Sequence, residues 1–238
     1  LPAARSLAGA LRAGPAGVPS PRIRVIAEVK AASPSAGRLM DDDRRAGLPL
    51  LYAESGAAAI SVLTERAHFQ GDLGHLTEAR ETLQSRFGDG APPLLRKDFL
   101  FDPYQVWESR AYGADAILLI IAILSRERLA GLLSLAGDLG LDCLVEAHDE
   151  GEVEQALEVG AEIVGVNNRD LHSFEVDLAT TERMRPLIPS GRIVVAESGI
   201  HGRADVERMA ACGVDAVLVG EALVRAKDTA AKMKELLL

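Results

Sequence analysis

The sequence predicts a single α/β domain built as a (β/α)8 barrel, and three observations carry that prediction. Short apolar runs alternate with helical patterns eight times along the 238 residues, a length close to the roughly 250 residues of such barrels. A motif made of a helix tail, a glycine and a short buried strand recurs along the chain. The turn after the first strand reads Lys30-Ala31-Ala32-Ser33-Pro34-Ser35, which sets aside an open doubly wound sheet with its glycine-rich fingerprint.

In order, residues 1–22 are rich in Ala, Gly and Pro and hold one short helical candidate at 6–12. They read as an N-terminal segment, and 23–238 as the barrel. Strand 1 covers 23–29, followed by a polar turn and a helix at 43–54. Asp41-Asp42-Asp43 reads as that helix's cap and first turn, where carboxylates match the dipole. Strand 2 at 58–63 leads to a helix at 72–86. Pro92 and Pro93 bar a helix ahead of strand 3 at 94–97. After it, Asp102-Pro103-Tyr104-Gln105 reads as a capping box with proline at the first helical position, opening a helix at 103–112. The remaining pairs are strands 115–120, 142–146, 162–167, 192–197 and 215–219 with helices 126–139, 149–159, 178–186, 202–211 and 221–236.

The repeat ties these units together. Gly56, Gly113, Gly160 and Gly213 each sit between a helix tail and an apolar run, with Gly140 as a weaker fifth copy. Glycine at that place closes the helix in the left-handed conformation and feeds a buried parallel strand through a tight loop.

Composition removes several classes of function. The net charge of −9, from 26 basic and 35 acidic residues, argues against nucleic acid and anionic membrane as partners. The longest apolar run, residues 116–124, is too short to span a bilayer. Cys143 and Cys212 lie in or beside apolar runs and suggest a reducing compartment, so a cytoplasmic protein is expected. The five histidines are scattered without metal-ligand spacing and most of them read as surface or capping residues; no metal is expected.

In a barrel, residues closing the strands at their carboxyl ends converge on one mouth. They are Glu28 and Lys30 from strand 1, Lys97 from strand 3, Glu146 from strand 5, Asn167 and Arg169 from strand 6, Glu197 and Ser198 from strand 7, and Gly220 after strand 8. Two lysines and three glutamates, each following an apolar run, point to acid–base chemistry. Neighbouring cations are expected to lower a lysine pKa and neighbouring carboxylates to raise a glutamate's, bringing both toward neutrality. Gly199 and Gly220 stand on the last two loops, where barrels bind phosphate through backbone N–H groups; Glu221 is expected to face away from such an anion. Phe69, Phe99, Leu118 and Leu171 lie at or just after strand ends, placed to hold a flat apolar group.

Several of these motifs resemble one family. Ile26-Ala27-Glu28-Val29-Lys30-Ala31-Ala32-Ser33-Pro34-Ser35, Leu95-Arg96-Lys97-Asp98-Phe99, Leu144-Val145-Glu146, Val166-Asn167-Asn168-Arg169-Asp170-Leu171 and Ala196-Glu197-Ser198-Gly199-Ile200 are similar to indole-3-glycerol phosphate synthase. Ser61-Val62-Leu63-Thr64-Glu65 fits the same pattern, and the likeness runs in order from about residue 20 to the C-terminus. The resemblance implies a TIM barrel and a carboxy-lyase of tryptophan biosynthesis. Its reaction closes the ring of 1-(2-carboxyphenylamino)-1-deoxyribulose 5-phosphate with loss of CO2 and water, without metal or organic cofactor. It implies Lys97 as general acid, Glu146 in the proton transfers of dehydration with Glu28 and Asn167 in support, and Lys30 on the departing carboxylate. Ser33, Ser198, Gly199, Gly220 and the backbone of Glu221 would line the phosphate end. Arg169 and Glu197 would orient the ligand, and Phe69, Phe99, Leu118 and Leu171 would enclose the anthranilate ring.

Two departures from the family accompany this. The family's N-terminal segment is longer, a helical extension that caps the mouth and touches substrate, so residues 1–22 are expected to be its remnant. Phe69-Gln70-Gly71-Asp72 also carries Gln and Asp in place of a more glycine- and serine-like turn. The rivals are phosphoribosylanthranilate isomerase, which would want a cysteine near the end of strand 1 where Glu28 and Lys30 stand, and a non-catalytic barrel serving as an assembly partner. Weak association with other enzymes of tryptophan synthesis is a further expectation.

Overall fold

The computed structural model describes residues 2–12, 23–33, 37–171 and 173–237. Eight parallel strands close into a barrel: β1 (Arg24–Val29), β2 (Ala59–Leu63), β3 (Leu94–Lys97), β4 (Ala116–Ile120), β5 (Asp142–Ala147), β6 (Ile163–Asn167), β7 (Ile193–Glu197) and β8 (Ala216–Val219). Each pairs with its sequence neighbours and β8 pairs with β1, where Ile26 stands opposite both Leu218 and Ala59. The strand prediction holds for all eight within a residue or so at each end.

Among the described residues ten α-helices accompany the strands: α1 (Leu7–Arg12), α2 (Asp42–Glu54), α3 (Leu73–Phe87), α4 (Pro103–Ala111), α5 (Arg126–Asp138), α6 (Glu150–Glu158), α7 (Ala179–Met184), α8 (Arg203–Ala211), α9 (Glu221–Arg225) and α10 (Thr229–Leu236). Their starts follow the local chemistry read from sequence. Asp41 caps α2 by accepting from the Arg44 N–H, and Asp102 and Gln105 exchange the two hydrogen bonds of a capping box on α4. All five glycines of the repeat take positive φ, between 73° and 95°.

One expectation needed correction. The predicted helix at 221–236 is two helices, because Asp228 turns extended and caps α10 by accepting from the Ala231 N–H. The polar turn expected at 33–37 falls mostly on residues 34–36, outside the described residues; on either side of it Ala32–Ser33 pairs antiparallel with Gly37–Arg38.

Strand alternation sorts the side chains into two cores. One face of each strand packs on the helices, and the other fills the barrel with Ile26, Ala59, Leu95, Ala116, Leu118, Leu144, Ile163, Ile193, Val195, Ala216 and Leu218. Helix α1 joins this inner core through Leu7, Ala8 and Leu11, all buried. It does so at the amino ends of the strands: Asp142, the first residue of β5, accepts from the Ala8 N–H, and Asp115, just before β4, accepts from the Arg5 N–H. Arg12 pairs with Glu162 ahead of β6. The described part of the N-terminal segment therefore plugs the end of the barrel opposite the mouth.

Candidate active site

Because side chains alternate along a strand, each apolar interior residue is followed two positions later by the residue at the mouth. Ile26 precedes Glu28, Leu95 precedes Lys97, Leu144 precedes Glu146 and Val195 precedes Glu197. The polar layer thus continues the packed inner core. It is dry at its base: Glu28, Glu146 and Glu197 are all buried.

At its centre Lys97 Nζ donates to Glu146 Oε2 and to Glu197 Oε2, each at 3.1 Å, joining β3 to β5 and β7. The second oxygen of Glu146 accepts from Asn167 Nδ2 at 3.1 Å. Asn167 Oδ1 accepts from the Arg169 backbone N–H, which fixes the amide so that its NH2 faces Glu146. Lys30 Nζ lies 2.7 Å from Glu28 Oε1. Glu197 Oε1 is buried without a partner among the described residues.

The charges settle differently from the sequence expectation. Burial alone would lower the Lys97 pKa, but the carboxylates of Glu146, Glu197 and Glu28 outweigh it, and the ammonium is held above the ordinary lysine range. Burial would raise Glu146, yet Lys97, His148 and Asn167 keep it ionised and well below the usual carboxylate range. Glu197 goes the other way: burial, and repulsion from Glu146, push it up to about 8. So Lys97 is raised where lowering was expected, and of these two glutamates only Glu197 moves toward neutrality. The reason is that Lys97 meets carboxylates, not cations, and two carboxylates sharing one ammonium cannot both ionise freely.

Two glycines make room for this layer. A Cβ at Gly165, the inward position of β6, would lie 2.3 Å from Glu197 Oε1, and one at Gly220 would lie 2.5 Å from Glu28 Oε1. Both distances are far inside contact. Gly165 was not read as a site residue; its signal was an interior position left empty between Ile163 and Asn167.

Above the polar layer opens a cavity of about 440 Å³. It gathers Glu28, Lys30, Phe69, Lys97, Phe99, Leu118, Glu146, Asn167, Arg169 and Leu171 from the first six strands and their loops. Glu197, Ser198, Gly199, Gly220 and Glu221 complete it from the last two. Ser33 stands at the last described position before a gap, and its side chain lies outside the described residues. Ser198 and Gly199 both take positive φ, 65° and 82°, so the chain turns sharply after β7. Glu221 pairs with Arg225 at 2.8 Å, which occupies its carboxylate. Arg169 donates to the Phe174 carbonyl and shapes its own loop.

The loop after β2 is held by Glu65, whose carboxylate accepts from the backbone N–H groups of Ala67, His68 and Phe69. Its unusual turn has a local cause. Gln70 takes a positive φ of 53° and Asp72 caps α3 by accepting from the Gly74 N–H. Sequence reading also missed the apolar wall formed by Ile120, Ile123, Phe174 and Val176. Ile120 and Ile123 lie in a run taken as strand and helix approach; Phe174 and Val176 carry no local signal and arrive through the fold of the loop after β6. His148, one of the scattered histidines with no role of its own in the sequence reading, is largely buried between Glu146 and Glu152. Its signal was the two-residue spacing from Glu146.

Comparisons with known proteins agree with this geometry. The family model described as indole-3-glycerol phosphate synthase matches residues 2–236. A relative of that name from Dehalococcoides mccartyi (strain CBDB1) is 58% identical over 217 residues, covering 91% of this chain and 82% of its own length. Indole-3-glycerol phosphate synthase 2 of Streptomyces coelicolor is 48% identical over 235 residues, covering 99% and 86%. A multifunctional tryptophan biosynthesis protein of Schizosaccharomyces pombe is 49% identical over 213 residues, covering 90% of this chain and 28% of that protein. Among solved structures, 3-hexulose-6-phosphate synthase from Salmonella typhimurium superposes with a TM-score of 0.69 at 13% identity, over 90% of this chain and 96% of that one, a likeness of fold alone. A match over nearly the whole length, with close relatives of one name, makes this chain a member of the indole-3-glycerol phosphate synthase family.

Proposed function

We propose that Lys97 is the general acid of ring closure and that Glu146 handles the proton removed in dehydration. The reaction is that of indole-3-glycerol phosphate synthase, a carboxy-lyase of tryptophan biosynthesis. The observation that carries the assignment is the placement of Lys97 between two buried carboxylates at the floor of the cavity. An ammonium held above its ordinary range stays charged until a developing alkoxide takes its proton.

The chemistry follows in steps. The ring carbon bearing the carboxylate attacks the ketone carbon of the sugar, and the carbonyl oxygen takes a proton from Lys97. The C–C bond to the carboxylate breaks, CO2 leaves, and its electron pair restores the aromatic ring. Lys30, anchored by Glu28 at 2.7 Å, holds that carboxylate until it departs. Lys30, freed when CO2 departs, then gives a proton to the new hydroxyl, which leaves as water. Glu146, ionised and steadied by Asn167, takes the proton from the methylene carbon beside the ring nitrogen as the indole double bond forms. Glu197, with its pKa near 8, orients Lys97 and supplies a neutral carboxyl that lets one ammonium serve two glutamates.

At the apolar wall, Phe69, Phe99, Leu118 and Leu171 enclose the anthranilate ring, with Ile123 and Phe174 beside them. Ser198, Gly199, Gly220 and the backbone of Glu221 receive the phosphate, helped by the turn at Ser198 and Gly199; Ser33 is assigned to the same end by resemblance. Arg169 orients the ligand from the loop after β6. We place the enzyme in the cytoplasm; among the described residues no helix is long and apolar enough to cross a membrane. The naming of the S. pombe relative supports weak association with other tryptophan-pathway enzymes.

The test is direct. Adding the carboxyphenylamino-deoxyribulose phosphate should produce indole fluorescence, and Lys97→Ala should abolish nearly all of it. A Lys97→Ala protein turning over at the wild-type rate would remove the assignment.

A further inference from the structure

We propose that His148 is a positioning residue that clamps the Glu146 carboxylate, working through a bridge from Glu146 to Glu152 at the start of α6. The inference rests on the reading of Glu146 as an acid–base group.

The geometry is built from both sides of the imidazole. Glu152 Oε2 accepts from the His148 backbone N–H at 2.7 Å and stands 3.1 Å from its Nδ1, so one carboxylate oxygen fixes both the chain and the ring. Glu152 is itself seated, since Asp149 caps α6 by accepting from the Glu152 N–H. With Nδ1 taken, Nε2 is delivered to Glu146 Oε1 at an ion-pair distance of 3.2 Å, short of hydrogen-bond alignment. That is the oxygen Lys97 leaves alone, because Lys97 sits on Oε2. The ring is only 11% exposed and does not line the cavity. It has no path to substrate, yet it touches the group that does.

The groups facing this pair are Lys97 from β3, Glu197 from β7, Asn167 from β6 and Glu152 from α6. Burial would lower the His148 pKa, but carboxylates on both ring nitrogens outweigh it and push it up to about 10. The imidazolium then donates through Nδ1 to Glu152 and sets its charge beside Glu146 Oε1 through Nε2.

This gives Glu146 two cations, and they do different work. Lys97 must lose its proton to the substrate oxygen, and at that moment it ceases to counter Glu146. His148 does not react and keeps its charge, so Glu146 remains an ionised base through the step in which its other counterion disappears. Without His148, the proton affinity of Glu146 would rise when Lys97 gives up its proton, and dehydration would lose its base.

The experiment is the pH dependence of turnover in His148→Ala. The acidic limb of kcat is expected to move to higher pH by about one unit, which is tenfold in proton affinity, with KM within about twofold of the parent. Glu152→Gln, which leaves the helix and the ring in place, should shift the limb in the same direction by less. A merely structural histidine would lower thermal stability and leave the limb where it was; an unshifted limb in folded His148→Ala overturns the proposal. If that variant fails to fold, the wild-type imidazole decides by NMR. Signals that remain those of imidazolium past pH 8 sustain the clamp, and titration near 6.5 defeats it. Glu146→Gln separates the two readings: wild-type turnover there removes the role of Glu146, whereas the NMR titration of His148 judges the bridge by itself.

Discussion

Lys97 Nζ and Glu146 Oε2 stand 3.1 Å apart across the barrel mouth, one at the end of β3 and the other near the end of β5. The pair is a proton donor and a proton acceptor already in contact, separated in sequence by 49 residues. Lys97→Ala and Glu146→Gln are each expected to lower kcat by at least about a hundredfold, the usual scale for general acid–base groups. Stopped-flow or steady-state indole fluorescence measures it. The two losses should not multiply in the double variant, because each residue sets the charge of the other.

Glu197 links the site to stability through pH. Its carboxyl, ordinarily near 4.5, is held up to about 8 in the fold. Between those values the folded chain keeps a proton that the unfolded chain has released. Stability is therefore expected to fall as pH rises from about 4.5 to 8. Glu146 does not contribute in that window, being ionised in both states. Between about pH 4.5 and 6.5, below the range in which His148 adds a slope of the same sign, denaturation midpoints should decline in the wild type and flatten in Glu197→Gln; an equal slope in both there would contradict the assignment of that proton.

Gly165 is a test of space rather than charge. A methyl group there would meet Glu197 Oε1 at 2.3 Å, so Gly165→Ala must displace the carboxylate from Lys97. Overpacking of this kind costs about 1–3 kcal/mol, and kcat is expected to drop more than about tenfold in protein that still folds. Melting temperature and turnover measured on one preparation separate the two effects.

Leu7 probes the opposite end. It is fully buried in the inner core although it belongs to α1, outside the barrel strands. Leu7→Ala should destabilise the fold by about 2–5 kcal/mol. Because α1 packs at the amino ends of the strands, kcat and KM of the folded fraction should stay at wild-type values. A large KM change would show that this helix communicates with the mouth.

Local patterns alone determined the eight strand–helix units, the left-handed glycines between them, the caps at Asp41 and Asp102, and the residues that close the strands. These depend on a few neighbouring residues and on the two-residue alternation of a strand, so Glu28, Lys97, Glu146 and Glu197 were legible as one rim. The family followed from the same motifs. What only the tertiary structure decided is who faces whom. Lys97 lies between carboxylates brought from β5 and β7, and that reverses its expected pKa shift. Gly165 is a site residue only because Glu197 fills its space, and His148 leaves the surface only because Glu146 and Glu152 converge on it. Charge and volume are set by neighbours distant in sequence, and barrel closure is the event that supplies them.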